Sequence, residues 1–402
     1  MIRSLYSGVS GLQAHGMAID VVADNIANVN TPGFKAARAQ FQSLMAQTLR
    51  GAGSPITAGR NPFQIGLGVT IGTVERQMTQ GSPQTTGRAT DLTIEGNGFF
   101  MLQAGPSYCY TRNGAFDVNG DRVLVEAVSG AAVLGWSSDA QGRIDTSQPP
   151  AAIVLPATGD SLARATTRVS LGGNLNTDAN VGAATTTVAR VYDSQGREHQ
   201  LQVTFTKSGD NAWSWAATDE GGATIGSGTV EFDGNGQCTT PAAALSVPVA
   251  GGATTPLQLN LEFGIQQLAA ETLVAPTYQD GLPSGSFEGF TVTETGVLIG
   301  SFSNGLSRAL GQLALATFTN PAGLQRASSG AYTETANSGP RQVNAPGSAG
   351  NGRLISGSLE MSNVDLTREF SALITLQRGF QANGRSITTS DQLLQDVLML
   401  KQ

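Results

Sequence analysis

Two apolar stripes, one at each end of a 402-residue chain, limit its folds more than anything between them. Near the start Leu5, Leu12, Ile19 and Ile26 recur every seventh residue, with Val9, Val22 and Val29 beside them. Near the end Leu366, Leu373, Phe380, Ile387 and Leu394 repeat the spacing, and Phe370, Leu376, Val397 and Leu398 fill in. A seven-residue apolar repeat is the seam of a helix packed on another helix. At 1.5 Å per residue the spacing predicts a helix over 4–29 roughly 39 Å long and one over 364–400 roughly 55 Å long. Ser362 or Asn363 is expected to cap the second helix, with Asp365 favourably placed in its first turn. Gly379 and Gly384 weaken its middle by about 1 kcal/mol each relative to Ala, or else admit a close neighbour. Neither stripe can be buried by its own helix. The two ends therefore pair with each other or with copies of themselves, and the rest of the chain is inserted between two halves of one helical unit.

That middle reads as β. Leu257, Leu259, Leu261 and Phe263 alternate with Gln258, Asn260 and Glu262, as a strand with one buried face requires. Val188–Tyr192, the turn Asp193-Ser194-Gln195-Gly196, and Leu201, Val203 and Phe205 read as a hairpin. A second hairpin turns at Gly96-Asn97-Gly98, and Trp213 and Trp215 share one face of a strand. Gly supplies 51 residues and charged residues only 13%, a turn-rich β composition, while 40% apolar content argues for a folded chain. Breaks at Gln148-Pro149-Pro150 and Asp280–Gly285 divide the β region. The expected fold is mainly β with long terminal α-helices. It has a helical domain of residues 1–30 plus 364–402 and an extended linker of 31–70, which contains the Gly/Pro-rich stretch Gly51–Gly68. One β domain spans 71–148 plus 285–363 and a second, inserted, spans 149–284.

Catalytic, cofactor-binding and metal residues are all expected to be none. The two histidines, His15 and His199, stand in no nucleophile motif. Gly66-Leu67-Gly68 and Gly72 have the wrong spacing for a dinucleotide loop, and a strand follows. Asp117–Asp121 resembles part of a calcium loop but lacks the glutamate at position twelve, so it reads as a turn. Cys109 and Cys238 make neither a disulfide scaffold nor a zinc set. A net charge of −7 with only three lysines, Lys35, Lys207 and Lys401, leaves no basic stripe for nucleic acid. No 18-residue apolar run is present, so no membrane insertion is expected, and the start shows no cleavable secretory signal.

The first helix stops abruptly. Pro32 disfavours helix at Thr31 and cannot donate to a preceding turn, and Gly33 permits a sharp reversal. Asn25 and Asn28 fall in the last turns, where their amides could satisfy free carbonyls or reach a neighbour. Asn25, Asn28, Thr31, Pro32, Gly33 and Phe34 thus form an expected hinge between helix and β region.

The same stretch carries a resemblance. Asn25-Ile26-Ala27-Asn28 with Thr31-Pro32-Gly33-Phe34-Lys35 resembles the signature of the bacterial flagellar axial proteins, which build rod, hook and hook-associated structures. Asp91–Phe100, Tyr110–Phe116, Ser358–Leu366, and Gln377–Arg385 with Thr388–Asp391 resemble further motifs of that family, in order. These motifs cover about 1–145 and 285–402, and the insert carries none. The resemblance implies a non-enzymatic subunit that assembles with itself into a hollow helical tube, the terminal helices forming the axial layer and the insert lying outermost. Chain length and insert favour a hook subunit, a flexible joint between rod and filament, over a distal rod subunit, although 42–69 is of a sort also seen in distal rod proteins. A secreted β-rich adhesin is the more distant alternative. Implied partners are rod, hook-cap and hook–filament junction proteins and the flagellar export apparatus. The implied location is the extracellular flagellum, reached without a cleaved signal peptide.

Overall fold

The computed structural model describes residues 2–51, 61–139, 141–157, 161–240, 242–249, 251 and 253–399. Residues 52–60 of the Gly/Pro-rich stretch, with Pro55, and the Val397 side chain lie outside the described residues. The chain is mainly β, with the N- and C-terminal helices in contact and the sheets between them in sequence. Helix α1 is Ile2–Ala27 and helix α2 is Leu366–Met399. Helix α1 ends at Ala27, short of 29, because Asn28 turns its amide back: Nδ2 donates to the Asp24 carbonyl at 2.8 Å. Neither Ser362 nor Asn363 caps α2. Asp365 does so, its Oδ1 accepting from the amides of Thr367 (2.9 Å) and Arg368 (3.3 Å), as a side chain just ahead of the first turn can.

Two compact units form. The first is Met1–Leu155, Thr291–Ile299 and Ala309–Gln402; the second is Pro156–Phe290 and Gly300–Arg308. The inserted domain was expected at 149–284.

In the first unit the strand Phe99–Ala104 pairs with Ser107–Thr111, Ala132–Ser137 and Leu315–Thr317, all antiparallel. Their inward faces close a core of Phe99, Met101, Tyr110, Leu134, Trp136, Phe318 and Tyr332. Edge-to-face contacts such as Tyr110 on Phe318, 4.8 Å between centroids, hold these rings in a favourable geometry. Two short ladders tie the C-terminal approach to much earlier strands: Arg353–Ser356 pairs with Leu92–Glu95, and Ser358–Glu360 with Pro83–Thr85. A two-stranded ribbon, Ala37–Ser43 with Val69–Arg76, packs along α1: the Phe41 ring lies 5.1 Å from His15, and Val69 N–H donates to Ser10 Oγ. It continues as Ala46–Arg50 with Phe63–Gly66, where Leu44, Met45, Leu49, Phe63 and Leu67 are all exposed.

The second unit is a sandwich of two four-stranded sheets. In one, Arg168–Asn176 lies between Leu257–Leu268, with which it runs parallel, and the antiparallel Leu273–Gln279; Ala242–Val247 forms the far edge. The other is a meander of Ala184–Tyr192, Glu198–Gly209, Ala212–Thr218 and Thr224–Glu231. Leu257, Leu259, Leu261, Phe263 and Ile265 face inward at every second residue, and Trp213 and Trp215 meet them from the opposite sheet in one continuous core. Alternation with a period of two places that core and sends the intervening polar residues to the outer face.

Candidate assembly site

The helix pair lies wholly in the first unit. Ser4 Oγ lies 3.2 Å from Ser390 Oγ, Gly8 sits under Ile387, Gly11 under Asn383, His15 over Gly379, and Asn25 Nδ2 donates to Glu369 Oε2 at 3.2 Å. Numbers rise on one helix as they fall on the other, so the pair is antiparallel. Small residues line the α1 side of the seam: Gly8, Gly11, Ala14 and Ala18 are buried, followed by Val22 and Asn25. A Cβ at Gly11 would come within 2.6 Å of the Asn383 amide, and one at Gly379 within 2.7 Å of the His15 ring. The helices therefore touch along a stripe that larger side chains would hold apart.

The heptad residues flank this seam. Leu5, Leu12, Ile19 and Ile26 are half-buried on α1. On α2, Ile387 enters the seam against Gly8, and Leu373 and Leu394 are half-buried, whereas Leu366 and Phe380 are 40% and 42% exposed. Phe370, Ile374 and Leu398 are exposed beside them. The lone subunit thus pairs its helices through small side chains and leaves a row of large apolar ones partly in water, more than scattered surface residues need.

The Asn25–Phe34 corner is heavily bonded. Asn25 is fully buried; Nδ2 donates to the Ala37 carbonyl at 2.7 Å and Oδ1 accepts from the Ala37 amide at 2.9 Å, pairing the helix end with the first strand as a ladder partner would. Asn28 Oδ1 accepts from Thr31 Oγ1, and Pro32 is half-buried just beyond. Gly33 has φ +71°, and its N–H donates to the Glu360 carbonyl at 2.7 Å. A Cβ there would lie 2.5 Å from the Asn113 nitrogen, so only glycine fits. Phe34 is buried under the Arg326 guanidinium, 5.2 Å from the ring, and Arg326 also pairs with Asp24 at 3.0 Å. Asn25, Gly33 and Phe34 are therefore held by residues outside the corner, whereas Asn28 and Thr31 bond within the helix end and the turn.

Beneath the corner lies a charge cluster that sequence reading missed. Lys35, 2% exposed, donates to the Thr79 carbonyl at 2.9 Å and pairs with Glu360 Oε1. Arg112 Nη1 approaches Glu360 Oε2 at 3.4 Å, and its Nη2 donates to the Gly96 carbonyl at 2.8 Å. Glu360 also accepts from the Gly81 amide at 2.8 Å. Burial pushes both the Lys35 and Arg112 values down from their ordinary range, against the pull of Glu360. Asn363 completes the junction: Oδ1 accepts from the Ala36 amide at 2.7 Å, and Nδ2 donates to the Gln77 carbonyl at 2.8 Å. The one sequence signal for this cluster was a lysine beside the corner in a lysine-poor chain.

This arrangement ties the end of α1, the first strand and the approach to α2 together. Among the described residues no three metal-ligating side chains cluster, and no helix is long and apolar enough to cross a membrane. Cys109 and Cys238 are both free, and burial raises both thiols.

Comparison with known proteins fits such a scaffold. Four family profiles match in order: "Flagella basal body rod protein" over 5–35, "Flagellar hook protein FlgE/F/G D1 domain" over 93–176, "Flagellar basal body protein FlaE D2 domain" over 163–282, and "Flagellar basal body rod FlgEFG protein C-terminal" over 355–400. The chain is 38% identical to the flagellar hook protein FlgE of Borreliella burgdorferi over 441 aligned residues, covering all of both chains. It is 38% identical to that of Treponema pallidum over 463, again covering both. Similarity to the flagellar basal-body rod protein FlgG of Bacillus subtilis is lower, 30% over 406 residues with both chains covered.

Proposed function

The chain belongs to the flagellar hook protein family, and on that premise we propose that its terminal helix pair is the surface through which copies stack into the tube of the hook. The protein is a structural subunit of the bacterial flagellar hook, outside the cell, and not an enzyme. One observation carries the proposal about the helices: they already satisfy each other through the Gly8–Asn25 small-residue seam, yet Leu5, Leu12, Ile19 and Ile26 stay half-buried and Leu366 and Phe380 exposed. A second copy would remove that surface from water. A head-to-tail contact that does not close on itself extends as an open helical polymer.

In this reading the 149–284 insert lies outermost in the tube, and the bonded corner at Asn25–Phe34 holds the helix pair to the sheets of the first unit. Bending of the tube would come from sliding between copies and not from this corner. Rod, hook-cap and hook–filament junction proteins are the proposed neighbours, and the flagellar export apparatus the proposed route out of the cell. The distal rod reading is less well supported, since identity to hook proteins reaches 38% and identity to a rod protein is 30%.

The test is assembly of purified full-length protein, followed by sedimentation and negative-stain electron microscopy. Leu12→Asp and Leu373→Asp should stay in the supernatant with both β units folded, while the unsubstituted chain forms tubes. Tubes of ordinary yield from both variants would remove the helices from the interface.

A further inference from the structure

Two buried cations and one buried anion meet where the chain's distant parts converge. Lys35 comes from the corner after α1, Arg112 from the strand end after Ser107–Thr111, and Glu360 from the last strand before α2. Their side chains are 1%, 5% and 0% exposed. The ion pairs of both cations end on Glu360. Taken without Glu360, the site holds two like charges out of water, a state that desolvation and mutual repulsion both disfavour. Glu360 also brings the segment that completes two ladders, and its backbone carbonyl receives the Gly33 amide.

We propose that Glu360 is a closure latch: it is the counter-ion that lets the first unit close over Lys35 and Arg112 only when the C-terminal segment is in place. Without it, the charges keep Lys35 and Arg112 turned to water and the Pro83–Thr85 and Leu92–Glu95 edges open. With it in place, one carboxylate pairs with both cations and cuts their net buried charge by half, fixes the corner at Gly33 and leads directly into α2. The device depends on charge as well as shape, which gives it a signature that ordinary packing lacks. Removing the anion strands two cations, whereas removing Lys35 leaves a balanced Arg112–Glu360 pair. The effects should be strongly unequal although the two side chains touch each other.

The experiment is residue-resolved hydrogen exchange on the full chain for Glu360→Gln, Lys35→Met and the double variant. Glu360→Gln should speed exchange at Leu92–Glu95 by on the order of 100-fold or more, the scale of an uncompensated buried charge. Exchange at Leu201–Phe205 in the second unit should not change. Lys35→Met should cost several-fold less than Glu360→Gln, and adding Lys35→Met to Glu360→Gln should recover part of the loss. If Glu360→Gln leaves the first unit wholly unfolded, recovery of protection in the double variant still supports the latch. Equal effects of the two single variants, or additive losses in the double, would overturn it.

Discussion

Replacing Gly33 by alanine tests the reasoning about the corner most sharply, because a second glycine supplies the control. Gly33 has φ +71° and Gly87 has φ +76°, so a Cβ at either adopts the same disfavoured backbone, costing roughly 1–2 kcal/mol. At Gly87 nothing lies within 4 Å of the new carbon. At Gly33 it would sit 2.5 Å from the Asn113 nitrogen and 2.7 Å from the Arg112 carbonyl carbon, backbone atoms that cannot swing away. Overpacking of that kind adds roughly 1–3 kcal/mol. Gly33→Ala should therefore lose about 2–5 kcal/mol of stability in the first unit, and Gly87→Ala only about 1–2. Two units make a single global unfolding midpoint ambiguous, so the assay is hydrogen exchange at Leu92–Glu95 with Leu201–Phe205 as internal reference. Equal losses for the two variants would refute the close approach of Gly33 to the Arg112–Asn113 backbone.

Further outcomes follow from the same geometry. Asn25→Ala removes both bonds to Ala37 and the one to Glu369 and leaves the half-buried Ala37 N–H and carbonyl without those partners. It should destabilise the α1 end by about 1–3 kcal/mol, read as faster exchange at Ala37–Ser43. Gly11→Leu should separate the helices by filling the space now held by the Asn383 amide, lowering helix-pair protection while the second unit keeps its own. Glu126 is fully buried, and burial raises its value from the ordinary one despite bonds from Ser129 and Asn113. The folded state thus keeps this proton to higher pH than the unfolded one. Its stabilising contribution is full below the unfolded value near 4.5 and is lost as pH rises through the folded value. Relative to Glu126→Gln, the unsubstituted chain should lose stability across that window in urea titrations at stepped pH; a flat difference would contradict the burial argument.

The fold was legible where side-chain size and period coincide. The Leu257–Phe263 alternation marked a sandwich strand, and the seven-residue stripes marked two helices that do touch. The seam was not legible, because Gly8, Gly11, Ala14 and Ala18 carry no apolar weight and matter only for how closely backbones approach. Large residues drew attention to the flank instead. The parallel pairing of Arg168–Asn176 with Leu257–Leu268 crosses a long connection that no local pattern announces. The Lys35–Arg112–Glu360 cluster was hidden for the same reason, its members separated by most of the chain. Asn25 and Gly33 were legible as a helix stop; that they are clamped to Ala37, Glu360 and Asn113 depends on tertiary neighbours.

In the proposed assembly the paired terminal helices form the contact surface of a helical tube. Helical reconstruction from electron micrographs of the assembled full-length protein tests it most directly. The tube should be hollow, with α1 and α2 as its innermost layer, Leu12 and Leu373 buried against neighbouring copies, and the second β unit outermost. A tube whose innermost layer is β, or whose helix pairs face solvent with those leucines uncovered, would contradict it.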